Sequence, residues 1–435
     1  MNYKPVIGLE VHVELKTKSK MFCGCSSDYF GKKPNTHTCP VCLGLPGALP
    51  VPNKKAIDWC VMIGIALNCK IANFSKFDRK NYFYPDLPKG YQISQYDQPF
   101  CQKGFVVLSN GKKIGITRVH MEEDTAKLTH QDEDSLIDFN RSGVPLVEIV
   151  TEPDFETAKE VVEYLKKLQQ IVRYLGVSNA DMEEGNMRLE PNISLRKGDI
   201  KELPKYKVEV KNINSFRFVE KAIEYEIKRQ AEILNEKKIP VQETRGWNEG
   251  KQKTVSQRIK EESNDYRYFP EPDIPPIRLT EVQVSNLRSQ IPELPDARLA
   301  RFIKEFNLSP YDAEILTREK EMADYFEESL KVGNLHGINP KQIANTVINK
   351  KVDIDNILPA ELVKNIVNFK KTDDIDDNEL RKIINKIIKE NQKAVNDYKS
   401  GKENAIMFLI GQVLKRAKQK LNTTVIKNVL ITKLK

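Results

Sequence analysis

The spacing of apolar residues is mixed before Pro295 and almost wholly helical after it, and this difference decides the fold class. Before that point, apolar and polar residues alternate over short stretches, most clearly from Val6 to Leu15, as expected for strands with one buried face. After that point, apolar residues recur with helical spacing, and Ser309-Pro310 has the composition of a helix start. We therefore predict an α+β protein with a mixed, β-rich N-terminal domain and an all-α C-terminal region that ends in a helical tail domain.

The chain is too long for a single hydrophobic core. It has 435 residues, of which 40% are hydrophobic and 30% charged, so two or three domains are expected. We place them at residues 1–293, 294–352 and 353–435. No stretch of about 18 uncharged apolar residues occurs, and the first residues show no signal or transit peptide. We therefore expect no membrane span and a cytoplasmic location.

Local patterns predict several elements. Residues 1 to about 150 are expected to form mainly strands and loops. Further along, the spacing predicts strands at 192–196 and 207–211, helices at 155–175 and 217–236, and helix breaks at 334–339 and 373–377. Asp154 is the expected N-cap of the helix at 155–175. Four prolines between Tyr268 and Pro276 are expected to exclude regular structure there.

Positive charge is concentrated at the C-terminal end. The chain carries a formal charge of +9, and residues 399–435 hold nine Lys and Arg against one acid, Glu403. The rest of the chain is therefore nearly neutral. Such a basic segment is either a solvated helix face or a contact surface for nucleic acid, and the sequence leaves both interpretations open.

Four of the seven cysteines form two close pairs. Cys23 and Cys25 are separated from Cys39 and Cys42 by thirteen residues, a spacing that lets four thiolates surround one tetrahedral Zn²⁺. Because such a site has no open position, zinc here would be structural. The alternative is four free or buried thiols. An odd number of cysteines does not suit a disulfide framework.

Acidic residues form a second candidate site. Glu10 and His12 lie two residues apart on one strand face, further acids occur at 122–124, and Glu148 interrupts an apolar run. A buried carboxylate must be paired or bind a metal, and carboxylates with one imidazole suit a hard cation such as Mg²⁺. Separate surface acids and a salt-bridged Glu148 are the alternative.

Two further stretches combine charged and aromatic residues. One runs from Phe77 to Asp86 and is followed by Lys89, and the other runs from Asp265 to Asp273. Cations among aromatic rings can bind phosphates or stack on a base. The chain contains no P-loop and no G-x-G-x-x-G after a strand, so any ATP site lacks a Walker loop.

Read together, these stretches resemble one family, the B subunit of aspartyl/glutamyl-tRNA(Asn/Gln) amidotransferase. The resemblance is carried by Val6–Leu15, Phe77–Asp86, Tyr91–Gln95, His120–Asp124, Pro145–Asp154 and Asp265–Asp273. It implies a cradle-like catalytic domain that uses ATP to phosphorylate the side-chain carboxylate of mischarged Glu-tRNA(Gln) or Asp-tRNA(Asn). Ammonia from a glutaminase A subunit then yields the amide, and a small C subunit clamps the A and B subunits together.

The resemblance also implies roles for particular residues. The Mg²⁺ site of the family corresponds here to Glu10, His12, Glu123 and Glu148, which would be the catalytic group. Candidates for contacts with the ATP phosphates are Arg79, Lys80 and Lys89. The cysteine cluster resembles a zinc knuckle that some members carry, and the basic tail resembles a tRNA-binding domain. Three places depart from the family: Glu190 replaces a usual Asp, Gln257 replaces a common Met, and residues 418–424 lack the usual Gly and Pro.

Two other hypotheses remain open at this stage. The chain could be a non-catalytic, zinc-stabilised scaffold that only presents tRNA, or a metal-dependent phosphohydrolase that uses the acidic cluster without tRNA. The scaffold hypothesis leaves Glu148 within an apolar run unexplained. The sequence does not decide between Glu-tRNA(Gln) and Asp-tRNA(Asn), or identify the tunnel lining and the A-subunit interface.

Overall fold

A computed structural model describes residues 3–198, 200, 202–259, 265–349, 352–371, 377–402, 404–417 and 423–434. The chain divides into two compact units, Met1–Ala297 and Arg298–Lys435. The first unit contains the strands and the second is helical, which confirms the α+β prediction. The division into three domains stays a prediction. The expected helix break at 373–377 lies almost wholly outside the described residues.

The strands all belong to the first unit. Their bounds are β1 Tyr3–Glu14, β2 Lys70–Ile71, β3 Phe74–Ser75, β4 Asp78–Asn81, β5 Tyr91–Ser94, β6 Cys101–Val107, β7 Lys113–Glu123, β8 Lys127–Gln131, β9 Asp134–Asp138, β10 Pro145–Thr151, β11 Met187–Lys197, β12 Val208–Lys211, β13 Glu243–Asn248, β14 Lys253–Ile259, β15 Phe269–Pro270 and β16 Ile277–Arg278.

The helices occur in both units. Those of the first unit are α1 Lys54–Ala66, α2 Ala158–Tyr174, α3 Phe216–Asn235 and α4 Glu281–Ser289. They are followed by α5 Pro295–Phe306, α6 Pro310–Thr317, α7 Lys320–Asn334, α8 Pro340–Asn349, α9 Pro359–Lys371, α10 Asp377–Glu390, α11 Gln392–Lys399, α12 Ala405–Arg416 and α13 Thr423–Leu434.

A large sheet organises the first unit. Its order is β14-β13-β12-β11-β1-β10-β7-β6-β2, and β1 lies between β11 and β10. The alternating apolar residues of β1, Ile7 to Val13, are fully buried in a core shared with α1, α2 and α3. Because successive side chains of a strand point to opposite faces, the polar residues Glu10 and His12 lie on the other face. The predicted alternation of this strand is confirmed.

The first helix of the chain was not expected. Helix α1 begins after Asn53, whose side chain accepts hydrogen bonds from two backbone N–H groups of the first turn. Nearly every residue from Ala56 to Ala66 is buried, and the helix packs on β6 and β7. A helix that is apolar on all sides shows no amphipathic period, which is why this helix was not predicted within residues 1–150, where mainly strands and loops were expected.

Two other expectations need correction. The helix predicted from 155 begins at Ala158 with Thr157 as N-cap, because Phe155 forms an isolated β-bridge with Ile7. Asp154 instead accepts a hydrogen bond from the backbone N–H of Gly115. Within the proline-rich stretch, Phe269 and Pro270 form β15 against β4. Proline is tolerated in such an edge strand because no ladder donor is needed on its outer side.

The helical unit contains two separate clusters of buried apolar residues. One joins side chains of α5 to α9, from Phe302 to Ile366, and the other joins α10 to α13, from Leu380 to Leu434. Ser309 caps α6 with Pro310 at its first position, as the sequence predicted. Over the residues that the structure describes, none of the helices is both long enough and apolar enough to pass through a membrane.

Candidate functional site

Three neighbouring strands bring polar residues into one row on the open face of the large sheet. His12 of β1 lies opposite Glu148 of β10, and Glu148 lies opposite His120 of β7. Glu122 follows two residues after His120 and therefore shares its face. The row lines a cavity of about 460 Å³. The other wall is formed by β4, β5 and the segment that carries Tyr266 and Tyr268.

The side chains of this row are in direct contact. His12 Nε2 lies 3.5 Å from Glu122 Oε1 and 3.7 Å from Glu148 Oε2. His120 Nε2 lies 3.2 Å from the same Glu148 oxygen. Glu122, Glu148 and His120 are buried. The carboxylate that interrupts an apolar run is thus paired with two imidazoles, as the cost of burying it requires.

The pKa shifts of the residues in this row favour the binding of a cation. Burial, together with the charge of Glu148, raises the pKa of Glu122 to about 8. Burial lowers the pKa of His12 to about 4 although Glu148 opposes this. At Glu148 burial is outweighed by His120 and His12, which hold its pKa below the usual value. Near pH 7 the group therefore holds a proton on Glu122 that a divalent cation can replace.

The atoms of this group suit Mg²⁺. Ligands about 2.1 Å from an octahedral ion stand about 3 Å apart when adjacent and about 4 Å apart when opposite. One ligand atom from each of His12, Glu122 and Glu148 lies within 4.8 Å of the others. The donor set, two carboxylates and an imidazole, is consistent with a hard cation, and small side-chain shifts would complete the fit.

A second group of carboxylates lines the same cavity beside the first. It consists of Glu10, Glu190 and Glu209, whose oxygens also lie within 4.8 Å of one another. Lys211 Nζ lies 2.9 Å from a carboxylate oxygen of Glu190. Burial and the surrounding carboxylates raise the pKa of Glu10. The residue that departs from the family pattern, Glu190, is therefore a cavity residue.

Lys80, one of the residues predicted to contact ATP phosphates, faces the row of His12, His120, Glu122 and Glu148. It lines the cavity from β4, with Nζ 5.0 Å from the ring centroid of Tyr266 and 5.9 Å from that of Tyr82. Burial would lower the pKa of Lys80, but Glu122 and Glu148 outweigh it and raise the pKa. The ammonium group therefore stays charged opposite the carboxylates, where it can receive phosphate oxygens.

The structure does not bring the other predicted residues into this cavity. Glu123 points to the opposite side of β7, where Lys89 Nζ lies 2.7 Å from Glu123 Oε1. Arg79 forms two hydrogen bonds with the buried carboxylate of Glu271, of 2.7 and 2.9 Å. Of the predicted group, His12 and Glu148 are in contact and Glu10 lines the same cavity. Glu122, which was not among the predicted ligands, is the acid of this pair that contacts His12.

A signal for Glu122 was present in the sequence. Val119 and Met121 belong to the buried core, and His120 and Glu122 alternate with them. Period-two alternation therefore assigns Glu123 to the side of Met121. The same rule separates Arg79 from Lys80. The contact of His120 with Glu148 had no such signal, because it depends on the pairing of β7 with β10.

The four clustered cysteines converge as predicted. One sulfur from each of Cys23, Cys25, Cys39 and Cys42 lies within 4.8 Å of the others, and the sulfurs of Cys39 and Cys42 are 3.9 Å apart. Four sulfurs about 2.3 Å from a tetrahedral zinc stand about 3.8 Å apart, so the cluster fits zinc. A hydrogen bond from Cys23, with a further contribution from buried Lys20, lowers the pKa of Cys42 to about 4.

Removing zinc is expected to destabilise the first unit. A chelator, or the substitution Cys39→Ser, should lower its melting temperature by about 5 °C or more, because metal binding contributes directly to folding. Differential scanning calorimetry with elemental analysis would measure both properties. The chelator should have no further effect on Cys39→Ser. A purified chain without zinc and with unchanged melting would contradict the site.

Comparisons with known proteins find similar sequences over almost the whole chain. A family model described as the GatB/GatE catalytic domain matches residues 5–285, and one described as a GatB domain matches residues 299–434. The chain is 49% identical, over 97% of both proteins, to the B subunit of an aspartyl/glutamyl-tRNA(Asn/Gln) amidotransferase from Caldanaerobacter subterraneus subsp. tengcongensis. It is 46% identical, over 99% of both, to the B subunit of the same name from Carboxydothermus hydrogenoformans.

Proposed function

Because the chain belongs to the GatB/GatE family, we propose that it transfers the γ-phosphoryl group of ATP to the side-chain carboxylate of Glu-tRNA(Gln) or Asp-tRNA(Asn). Ammonia released from glutamine by an A subunit attacks the resulting acyl phosphate and displaces phosphate, giving Gln-tRNA(Gln) or Asn-tRNA(Asn). A small C subunit completes the enzyme. In this proposal the first unit carries the chemistry, and the chain is the ATP-using subunit of a carbon–nitrogen ligase.

The observation that carries this proposal is the row of His12, Glu122 and Glu148 opposite Lys80 in one cavity. The row would hold Mg²⁺, which when bound offsets the repulsion between a carboxylate and a phosphate. Lys80 is placed to neutralise phosphate charge from the other wall. The attacking carboxylate belongs to the substrate and is ionised at pH 7, so none of the cavity residues has to act as a strong base.

The direct test is ADP release by the chain purified with its A and C subunits. ATP, Mg²⁺ and ammonium are supplied with and without Glu-tRNA(Gln), and with Asp-tRNA(Asn) in parallel. ADP release that requires a mischarged tRNA, together with the amidated product, supports the proposal and identifies the substrate. Bound tRNA without ADP in either reaction would favour the scaffold. Phosphate release from a small substrate without tRNA would favour the phosphohydrolase.

The basic tail is proposed to bind tRNA outside the acceptor end. Its described residues belong to the last four helices, α10 to α13, which share an apolar cluster of their own, and Lys415 and Lys427 are exposed. These two residues present charge to solvent without contributing to the cluster. Such residues suit contacts with phosphates, which position a nucleic acid without reading its sequence.

Neutralising both lysines is expected to weaken tRNA binding and flatten its salt dependence. Lys415→Gln with Lys427→Gln should lower the slope of log K against log salt by about 1.5, since each phosphate contact releases counterions. Filter binding over a salt series measures this. The matched control is Lys304→Gln with Lys341→Gln, an equal charge change at exposed positions of α5 and α8. Equal slopes in both variants would indicate a solvated tail.

A further inference from the structure

Lys20 is a buried lysine to which the proposed reaction assigns no role. It follows β1 and precedes the first pair of clustered cysteines. Its side chain is fully buried, and no other lysine that the structure describes is buried. Lysine is almost never fully buried unless it is paired, because an ammonium group without a compensating charge is costly to remove from water. The partners of Lys20 therefore indicate what it does.

The partners of this ammonium group are two carbonyl oxygens and one sulfur. Lys20 Nζ donates to the backbone oxygen of His37 at 2.8 Å and to that of Phe139 at 3.3 Å. It also lies 3.6 Å from Cys42 Sγ. A carbonyl oxygen carries only a partial charge, whereas a cysteine sulfur carries a full negative charge as a thiolate. Of these three partners, Cys42 alone can compensate the charge of Lys20.

Cys42 is also the clustered cysteine that water reaches least. It is buried, whereas Cys23, Cys25 and Cys39 are partly exposed. When four thiols bind one Zn²⁺ they release their protons, and four thiolates around a divalent ion leave two uncompensated negative charges. Lys20 stands at the sulfur where such a charge is most costly. The two carbonyl contacts hold its ammonium group at that position.

We propose that Lys20 is the counter-charge of the zinc–thiolate cluster, which raises the affinity of the four cysteines for zinc and lowers the reactivity of Cys42. Groups that contact a metal ligand from outside typically contribute 10-fold to 100-fold, roughly, to metal affinity. The inference rests on the zinc site described above and does not depend on the proposed use of ATP. It concerns a residue that binds no metal itself and acts through a ligand.

The effect of zinc on a Lys20 variant separates this role from a purely structural one. Lys20→Met keeps the apolar stem and removes the charge. With zinc bound, the variant leaves the negative charge of the cluster uncompensated, whereas without zinc the cysteines can stay neutral. We therefore expect a larger loss of melting temperature in the zinc-loaded chain than in the zinc-free chain. A lysine that only joins two loops through their carbonyls would cause equal losses in both.

The direct measurement is the zinc affinity of the full chain in competition with the chromogenic chelator 4-(2-pyridylazo)resorcinol. We expect Lys20→Met to lower the affinity by about 10-fold to 100-fold. Lys20→Gln keeps a donor for the carbonyls but no charge, and should show a similar loss. Iodoacetamide should alkylate Cys42 of the zinc-loaded variants faster than that of the wild type. The matched control is Lys18→Met at an exposed position nearby, which should change none of these properties.

Each outcome supports or overturns the inference. Unchanged zinc affinity in folded Lys20→Met, or equal losses of melting temperature with and without zinc, overturns it. Full affinity in Lys20→Gln would show that hydrogen bonding rather than charge matters, which also overturns it. If Lys20→Met does not fold, the affinity of Lys20→Gln decides. A wild-type chain that binds no zinc removes the inference together with the zinc site, while tRNA-dependent ADP release still decides the proposed function.

Discussion

Replacing Glu122 by Gln is expected to lower tRNA-dependent ADP release by about 1,000-fold. Glu122 Oε1 lies 3.5 Å from His12 Nε2, and its carboxylate, with that of Glu148, forms the anionic part of the proposed cation site. The amide has nearly the same shape but carries no charge, so cation binding should weaken while the fold is retained. ADP release at a series of Mg²⁺ concentrations would show the loss as a higher Mg²⁺ requirement.

Two controls make this prediction specific. Glu133→Gln changes the same group at an exposed turn between β8 and β9, and should leave ADP release unchanged. Glu148→Gln should match Glu122→Gln, because both residues contact His12. Near-normal ADP release in Glu122→Gln, with a complete loss in folded Glu123→Gln, would restore the assignment that the family resemblance gave to Glu123.

Replacing Glu123 by Gln is expected to lower the free energy of unfolding of the first unit by about 3 kcal/mol. Glu123 is buried, and its carboxylate contacts Lys89 Nζ at 2.7 and 2.8 Å and accepts a hydrogen bond of 2.9 Å from the backbone N–H of Ile93. The amide can keep the bond from Ile93 but leaves the largely buried ammonium of Lys89 without its counter-charge. The loss should therefore come mainly from that unpaired cation.

The measurement can be confined to the first unit. The two tryptophans of the chain, Trp59 and Trp247, both lie in it, so urea unfolding followed by tryptophan fluorescence reports on this unit. Adding Lys89→Met to Glu123→Gln removes the unpaired charge and should recover at least about half of the loss, which a double-mutant cycle would quantify. An unchanged unfolding midpoint in Glu123→Gln would show that the ion pair does not stabilise the unit.

These two predictions depend on neighbouring residues with the same side chain. Glu122 and Glu123 are both buried acids at the end of β7. Glu122 faces the cavity that His12 and Glu148 line, whereas Glu123 faces Lys89. A sequence motif that contains both acids does not distinguish their roles. The period of two along a strand does distinguish the two acids, provided that the strand continues without a bulge to its last residue.

The sequence by itself determined the features that depend on short-range spacing. The alternation of β1, the change to helical spacing near Pro295 and the cap at Ser309 each involve residues close together in the chain, and each is confirmed. The convergence of the two cysteine pairs also followed from local spacing. Family membership followed from the number and order of such stretches. Helix α1 was missed because a helix buried on all sides has no polar stripe.

The tertiary structure alone decided which of the candidate residues meet. Glu148 contacts His12 and His120 because β10 pairs with β1 on one side and with β7 on the other. Lys80 faces these residues because β4 belongs to a separate small sheet across the cavity. Strand pairing over more than a hundred residues depends on the whole core, and a shift of one residue would turn every side chain to the opposite face. Local spacing contains no measure of that register.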